Sequence, residues 1–211
     1  FNKKKDFKKY PRNLKKDIML LKKRNIDYIL IPKLTEIFGK NDEKSIKISA
    51  KDKILCAKYR PGHFEGVLAV INQFLSKIKV NRIFLGEKDY QQLYLIKKLI
   101  KKRFKVKVIN CKTIRYKNSF AYSSRNSLLK TKRFNELVKI SHILKKFKYK
   151  LKQNIKNKSR INKIKNEISK LGAEIEYLEI RNLKLGKKVT SKNFKIFIAY
   201  YIDKIRFIDN F

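Results

Sequence analysis

At 211 residues with 43% hydrophobic side chains, the chain is long enough for one or two domains with a genuine core. Its formal charge of +40 brings nucleic acid or an anionic membrane surface to mind, yet only 11 of its 57 basic residues are Arg. A Lys-rich solvated surface, such as an AT-rich genome writes wherever Lys is tolerated, accounts for that balance without a dedicated polyanion site.

Residues 2–25 are basic and close on Leu14, Ile18, Leu20 and Leu21, which predicts an amphipathic helix after Pro11. The short apolar run Tyr28 to Ile31, stopped by Pro32, predicts a buried strand. From Ser45 to Tyr59 the alternation of Ile46, Ile48, Ile54 and Cys56 predicts one or two further strands. Pro61 then precedes a helical face of Phe64, Val67, Leu68, Ile71 and Leu75. Val80, Ile83 and Phe84 form the next strand, Leu93, Ile96, Leu99 and Ile100 the next helix, and Val106 to Ile109 another strand. Strand and helix alternate here as in a parallel α/β sheet.

Beyond Cys111 the texture changes. A polar connector (113–126) leads into two helices within 128–171, then into the strand-like runs Ile175–Ile180, Phe194–Ile202 and Ile205–Ile208. A boundary near residue 112 is expected, with an α/β domain over 1–112 and a smaller α+β lid over 113–211. Residues 131–170 hold fourteen basic and two acidic side chains, but they lack the interleaved aromatics that stack bases. Solvated helices are the expected reading there. The competing reading of the whole chain is a basic nucleic-acid-binding α/β protein.

Cys56 and Cys111 are far apart and lack metal or redox spacing, so reduced, buried thiols in a cytoplasmic protein are expected. The longest apolar stretch, Phe194 to Ile202, contains Lys195 and is too short to span a bilayer, and the start of the chain has no signal-peptide pattern. No membrane partner is expected.

The most informative stretch is Leu85-Gly-Glu-Lys-Asp-Tyr-Gln-Gln92, which reads as strand, tight turn and helix. Gly86 lets a backbone approach a ligand closely, and a helix start just beyond it suits an anion. Lys88, Asp89 and Gln92 share one helical face as a cation, an acid and an amide. That set suits a nucleotide and a small carboxylate at the carboxyl edge of a parallel sheet. His63, after Pro61 and Gly62, is read as orienting its turn rather than as a base. Ser123 to Arg125 alone would pass for a polar linker capped at Asn126.

Four segments occur in an order that resembles the pantoate–β-alanine ligase (pantothenate synthetase) family. They are Asp6-Phe-Lys-Lys-Tyr-Pro-Arg12, Arg60-Pro-Gly-His-Phe-Glu-Gly-Val67, Gly86-Glu-Lys-Asp-Tyr-Gln-Gln92, and Thr113-Ile-Arg115 continuing to Ser123-Ser-Arg-Asn126. The closing Ile205-Arg-Phe-Ile-Asp-Asn210 resembles that family's last strand, so the likeness runs from Phe1 to Phe211.

The resemblance implies a Rossmann-like nucleotide domain with a smaller α+β domain, in a cytoplasmic homodimer of the coenzyme A pathway. It implies ATP and Mg2+, with pantoate and β-alanine as substrates and no specific nucleic acid. Pantoate would attack the α-phosphorus to give an adenylate, and β-alanine would then displace AMP. It assigns ATP binding to Gly86, Glu87, Lys88, Asp89, Ile114, Tyr122, Ser123, Ser124 and Arg125. Lys88 and Arg125 become the catalytic cations, and Gln92 the pantoate-binding amide; the metal ligands stay unassigned.

Tyr122 stands where the family usually has Met, and Ala57 and Asp203 where glycines are expected. The family's first strand, His-x-Gly-His turn and a pantoate-binding Gln precede the position of Phe1. The resemblance therefore implies that the 211-residue polypeptide alone is a poorly active or inactive truncated copy, its parent a competent ligase.

Overall fold

The computed structural model describes residues 10–40, 42–186 and 188–211, leaving aside the side chains of Asn118 and Lys132. Residues 6–9 of the Asp6–Arg12 segment lie outside the described residues. The first helix, α1 (Leu14–Lys22), starts after Pro11 as expected, and Asn13 caps it by accepting a bond from the Lys16 N–H at 3.0 Å.

The strands expected at Tyr28–Ile31 and within Ser45–Tyr59 do not form. Tyr28 to Ile31 forms no regular secondary structure, with Tyr28 92% exposed, because among the described residues no strand pairs with it and Pro32 removes a donor. A one-turn helix, α2 (Leu34–Ile37), follows. In Ser45–Tyr59 the alternation marks isolated residues tucked under a loop rather than a pleat. Ile46 is buried and its N–H donates to the Glu65 carbonyl. The chain then turns at Ala50–Asp52 and enters a one-turn helix, α3 (Cys56–Tyr59), through Leu55 at φ 48°. Buried Gln91 holds this loop: its Oε1 accepts from the Ala57 N–H, and its Nε2 donates to the carbonyls of Asp52 and Ile54. Ala57 sits inside α3, so no left-handed turn falls on it.

The remaining elements follow the sequence pattern. Helix α4 (His63–Lys77) begins after Gly62, whose φ of 76° makes the entry turn. Strand β1 (Arg82–Gly86), helix α5 (Tyr90–Arg103) and strand β2 (Lys107–Cys111) form a β-α-β unit in which β1 and β2 pair in parallel. Helices α6 (Phe134–Gln153) and α7 (Ile161–Ser169) precede an antiparallel sheet of β3 (Glu174–Arg181), β4 (Lys195–Ile202) and β5 (Ile205–Asn210), in the order β3-β4-β5.

The antiparallel sheet is buried on both sides. Alternate residues Ile196, Ile198, Tyr200 and Ile202 of β4 join Leu178 and Phe207 against Leu137, Ile140, Leu144 and Phe147 of α6. The intervening Phe197 and Ala199, with Tyr177, pack toward Leu68 of α4 and Leu95, Ile96 and Leu99 of α5. A register shift between Ile175 and Tyr177 leaves Glu176 as an extra residue in β3. That bulge lets Glu176 and Tyr177 in succession serve the face turned toward α4 and α5.

Cys56 is buried, but Cys111 is exposed, contrary to the expectation for both thiols. It is the last residue of β2, whose only partner among the described residues is β1, so its side chain has nothing to pack under.

Candidate active site

The carboxyl end of β1 delivers Gly86 and then a single 3-10 turn, Glu87–Asp89, before α5 starts. Gly86 has an ordinary φ of −73°, and a Cβ placed on it would meet nothing within 4 Å. The protein's own packing therefore does not demand glycine here; the space beside it is open to a ligand's approach.

Lys88 of this turn borders two adjoining hollows. The first is lined by Lys88, Ser123, Arg125, Asn126, Arg206 and Asp209, among others. The second is lined by Lys88, Asp89 and Gln92 together with Cys56, Arg60 and His63. Arg60 and His63 also border a wide apolar groove along α4 that includes Phe38, Val67 and Ile71.

On the wall of the first hollow, Ser123 opens a 3-10 segment, Ser124–Leu128, and its Oγ accepts from the Arg125 N–H at 3.3 Å. The cap is thus Ser123 and not Asn126, which is buried instead. Asn126 donates to the Ala121 carbonyl at 3.4 Å, and its Oδ1 has no hydrogen-bond partner among the described residues. Ser124 donates its hydroxyl to that of Tyr10 at 3.0 Å, and the Arg125 guanidinium lies 5.3 Å from the centre of the Tyr10 ring. Tyr122 stacks on Tyr116, and its N–H bonds the Ile114 carbonyl at 3.0 Å. Ile114 itself is 73% exposed.

Between the hollows lies a polar network that uses the bulge in β3. Arg206 grips both oxygens of Glu176, at 2.5 Å for the shortest contact, and reaches the Cys56 Sγ at 3.4 Å. Cys56 in turn contacts the Tyr177 hydroxyl at 3.1 Å, and Tyr201 donates to Glu176 at 3.1 Å. Burial, then the neighbouring Cys56, pushes the Tyr177 hydroxyl well above its ordinary range, so it stays neutral. His63 is lowered to about 3, first by burial and next by the Arg60 guanidinium, with Arg206 and Arg125 adding to the effect. At neutral pH it is an uncharged imidazole on the cationic rim.

The structure thus brings Lys88, Ser123 and Arg125 to one hollow and Lys88, Asp89 and Gln92 to the other, with Gly86 and Glu87 forming the turn beneath. Ser124 faces Tyr10, and Ile114 and Tyr122 line neither hollow. Residue-by-residue reading assigned no role to Arg60, Arg115, Arg206, Asp209 or Asn210. The signal was present in Ile205–Asn210, where a period of two places Arg206, Ile208 and Asn210 on one face of a strand.

A parallel α/β unit whose strand ends in an open glycine turn, beside a hollow walled by Ser123 and Arg125, has the architecture of an α/β enzyme of the nucleotide-using kind. Over residues 1–211 the chain matches the family model described as Pantoate-beta-alanine ligase, and it belongs to that family. It is 37% identical over 215 residues to a pantothenate synthetase of Francisella tularensis subsp. mediasiatica, spanning 100% of this chain and 74% of the relative. It is 36% identical over 211 residues to that of Endomicrobium trichonymphae, spanning 97% and 74%. The fold matches the crystal structure of a Francisella tularensis pantoate-beta-alanine ligase complexed with beta-gamma ATP and beta-alanine. The TM-score is 0.84 at 34% identity, over 100% of this chain and 74% of that one. A Thermus thermophilus pantothenate synthetase, 23% identical, shares the fold with a TM-score of 0.87, over 100% and 78%.

Proposed function

We propose that this protein joins pantoate to β-alanine at the expense of ATP, with Lys88 at the reacting junction. The observation that carries this reading is the shared position of Lys88. It borders both the hollow walled by Ser123 and Arg125 and the hollow holding Gln92. Family membership and a relative described as complexed with beta-gamma ATP and beta-alanine support the choice of substrates.

In this reading the triphosphate lies in the first hollow. Arg125 offers a planar fork to its oxygens, the hydroxyl of Ser123 lies beside it, and Ser124 is the second hydroxyl of the segment. Pantoate lies in the second, its polar groups met by the Gln92 amide. A pantoate carboxylate oxygen attacks the α-phosphorus; the bond to the bridging oxygen breaks, and pyrophosphate leaves with the electron pair. The β-alanine ammonium gives one proton to water, the resulting amine attacks the acyl carbon of the adenylate and loses a second proton to water, and AMP departs with the electron pair of the broken C–O bond. Neither step needs a covalent bond to the enzyme. Alignment and cationic stabilisation at Lys88 and Arg125 supply the acceleration.

Mg2+ enters as part of the MgATP substrate. Among the described residues no group of three or more His, Cys, Asp or Glu side chains is arranged to hold a metal, and a nucleotide-borne Mg2+ needs few protein ligands. Residues 1–112 form the nucleotide and pantoate unit, and 113–211 the lid that brings Ser123 and Arg125 over it. A cytoplasmic homodimer completes the proposal; no described helix is long and apolar enough to cross a membrane.

The test is AMP release from ATP, Mg2+ and pantoate, with and without β-alanine, by the natural protein that carries this sequence. Lys88→Ala should slow pantoate-dependent AMP release about 100-fold, near 3 kcal/mol of transition-state stabilisation, with little change in melting temperature. An unchanged rate would remove Lys88 from the reaction.

A further inference from the structure

We infer that Asn210, on the last strand, is a positioning residue that orients the Glu87–Asp89 turn for nucleotide phosphates. This inference rests on the proposed ATP site and adds a residue to it. The Asn210 side chain is buried, and its Nδ2 donates to the carbonyls of both Glu87 and Lys88 at 2.9 Å. Its Oδ1 accepts from the Lys195 ammonium, also at 2.9 Å. The carboxamide therefore has one workable orientation. Turned over, it would set its oxygen against two carbonyl oxygens and its NH2 against an ammonium.

The backbone of Asn210 is held as tightly as its side chain. Its carbonyl accepts from Arg115 Nη2 at 2.8 Å, and its N–H donates to Asp209 Oδ1 at 2.7 Å. Arg115 grips both Asp209 oxygens, at 2.7 and 2.9 Å, and lies 4.7 Å from the centre of the Phe211 ring. Three chain segments remote from the turn, namely Arg115, Lys195 and Asp209–Phe211, thus converge on one amide that touches it.

The consequence for the turn follows from peptide geometry. In a trans peptide the N–H points opposite to the carbonyl, so drawing the Glu87 carbonyl onto Asn210 directs the Lys88 N–H away from β5. Carbonyls drawn back and an N–H turned outward give the polarity that an anion needs at the start of α5. Asn210 lines the second hollow but is placed to act through the turn, not on the reacting atoms.

The experiment compares Asn210→Asp and Lys195→Met with the parent in the natural protein. Asn210→Asp keeps the size of the side chain but sets a carboxylate against the two carbonyls. It should raise the KM for ATP about tenfold or more while the KM for β-alanine moves less than about twofold. Lys195→Met retains Asn210 but frees its oxygen, and should raise the KM for ATP about threefold. Amide hydrogen exchange should quicken in the 84–92 segment of both variants and stay unchanged in 196–202.

An unaltered KM for ATP in folded Asn210→Asp, or equal rises for all substrates, would overturn the inference. So would unaltered exchange at 84–92. Should Asn210→Asp fail to fold, Lys195→Met gives the same readouts. Absence of pantoate-dependent AMP release in the parent would instead bring down the proposed function and the inference's nucleotide role with it. Exchange at 84–92 would still show whether Asn210 holds the turn, so the two failures are distinguishable.

Discussion

The two faces of the β3–β4–β5 sheet are built from alternating residues of the same strands, yet they differ in kind. Toward α6 the sheet presents Leu178, Ile196, Ile198 and Ile202, all nearly devoid of solvent and matched by Leu137, Leu144 and Phe147. Toward α4 and α5 it presents Tyr177, Arg206 and Asn210 beside Phe197 and Ala199, with hydrogen bonds to Glu176, Cys56 and the carbonyls of Glu87 and Lys88. The α6 face is apolar but for Asp209, which lies opposite Ile198 and pairs with Arg115, and it anchors the sheet. The other holds polar groups whose positions are set by that anchor and which border the two hollows. Apolar burial is nondirectional and tolerates small shifts, whereas hydrogen bonds to a turn do not. Placing the two on opposite sides of one rigid sheet lets stability and alignment be specified separately.

The strongest way to break this separation is Ile198→Ala. Ile198 is fully buried on the apolar face, and removing its three distal carbons should cost about 3 kcal/mol of folding stability from lost transfer energy and the cavity left behind. For a chain of this length that lowers the melting temperature by roughly 10 °C. At a temperature where the variant is fully folded, its KM values and turnover should match the parent. A loss of turnover in the folded variant, measured by AMP release at 15 °C, would show that the two faces are mechanically coupled.

The contrast between the faces also explains what the sequence disclosed. The apolar face was legible because its strands stand out as the apolar runs Ile175–Ile180, Phe194–Ile202 and Ile205–Ile208, and α4 and α5 were legible because their buried residues recur at helical spacing, with Gly62 and Gly86 in the turns that lead into them. The Gly86–Gln92 segment was legible as strand end, turn and helix start. The polar face was not. Glu176 and Tyr177 read as strand residues on opposite sides, and only the bulge puts them together.

The failed strands have a related cause. Tyr28–Ile31 has strand composition, but local pattern carries no information on whether a partner strand lies alongside. In Ser45–Tyr59, contacts from Gln91, more than thirty residues away in sequence, decide the backbone path. Asp203 is different again. It takes a left-handed φ of 51° where a glycine was expected, and Arg133 holds its carboxylate at 2.7 Å.

His63 offers a second, smaller test on the polar side. Its pKa is lowered to about 3 from 6.5, by burial first and then by Arg60. Between those two values the unfolded chain binds a proton that the folded chain does not, so stability must fall as pH drops below about 6.5. Solvent reaches part of the ring and screens it, which limits the expected loss at pH 5 to about 1 kcal/mol. A His63→Gln variant should lose that much less than the parent between pH 7 and pH 5 in urea titrations. Equal losses would mean that His63 protonates freely in the folded protein and that the rim is less cationic than its guanidinium groups suggest.

The smallest expected effect sharpens the comparison from the hairpin that both faces share. Ile202 pairs with Ile205, so β4 and β5 are joined by two residues, Asp203 at φ 51° and Lys204 at φ 64°. Two successive left-handed residues make the type I′ connection whose twist matches the strands. Asp tolerates that region through its short polar side chain, and here Arg133 also bonds it through Nε, at 3.1 Å. Lys204 has a full side chain at a φ that favours glycine. Lys204→Gly should relieve about 1 kcal/mol of backbone strain, reduced by the greater freedom of glycine in the unfolded chain to a net gain of roughly 0.5 kcal/mol. The gain should appear as a higher urea midpoint at unchanged slope, with the KM for ATP unaltered. Because β5 carries Arg206 and Asn210 from this turn to the Glu87–Asp89 contact, a variant that gained stability but changed its KM for ATP would place the hairpin in the alignment of the site, and the two faces would then share a single support.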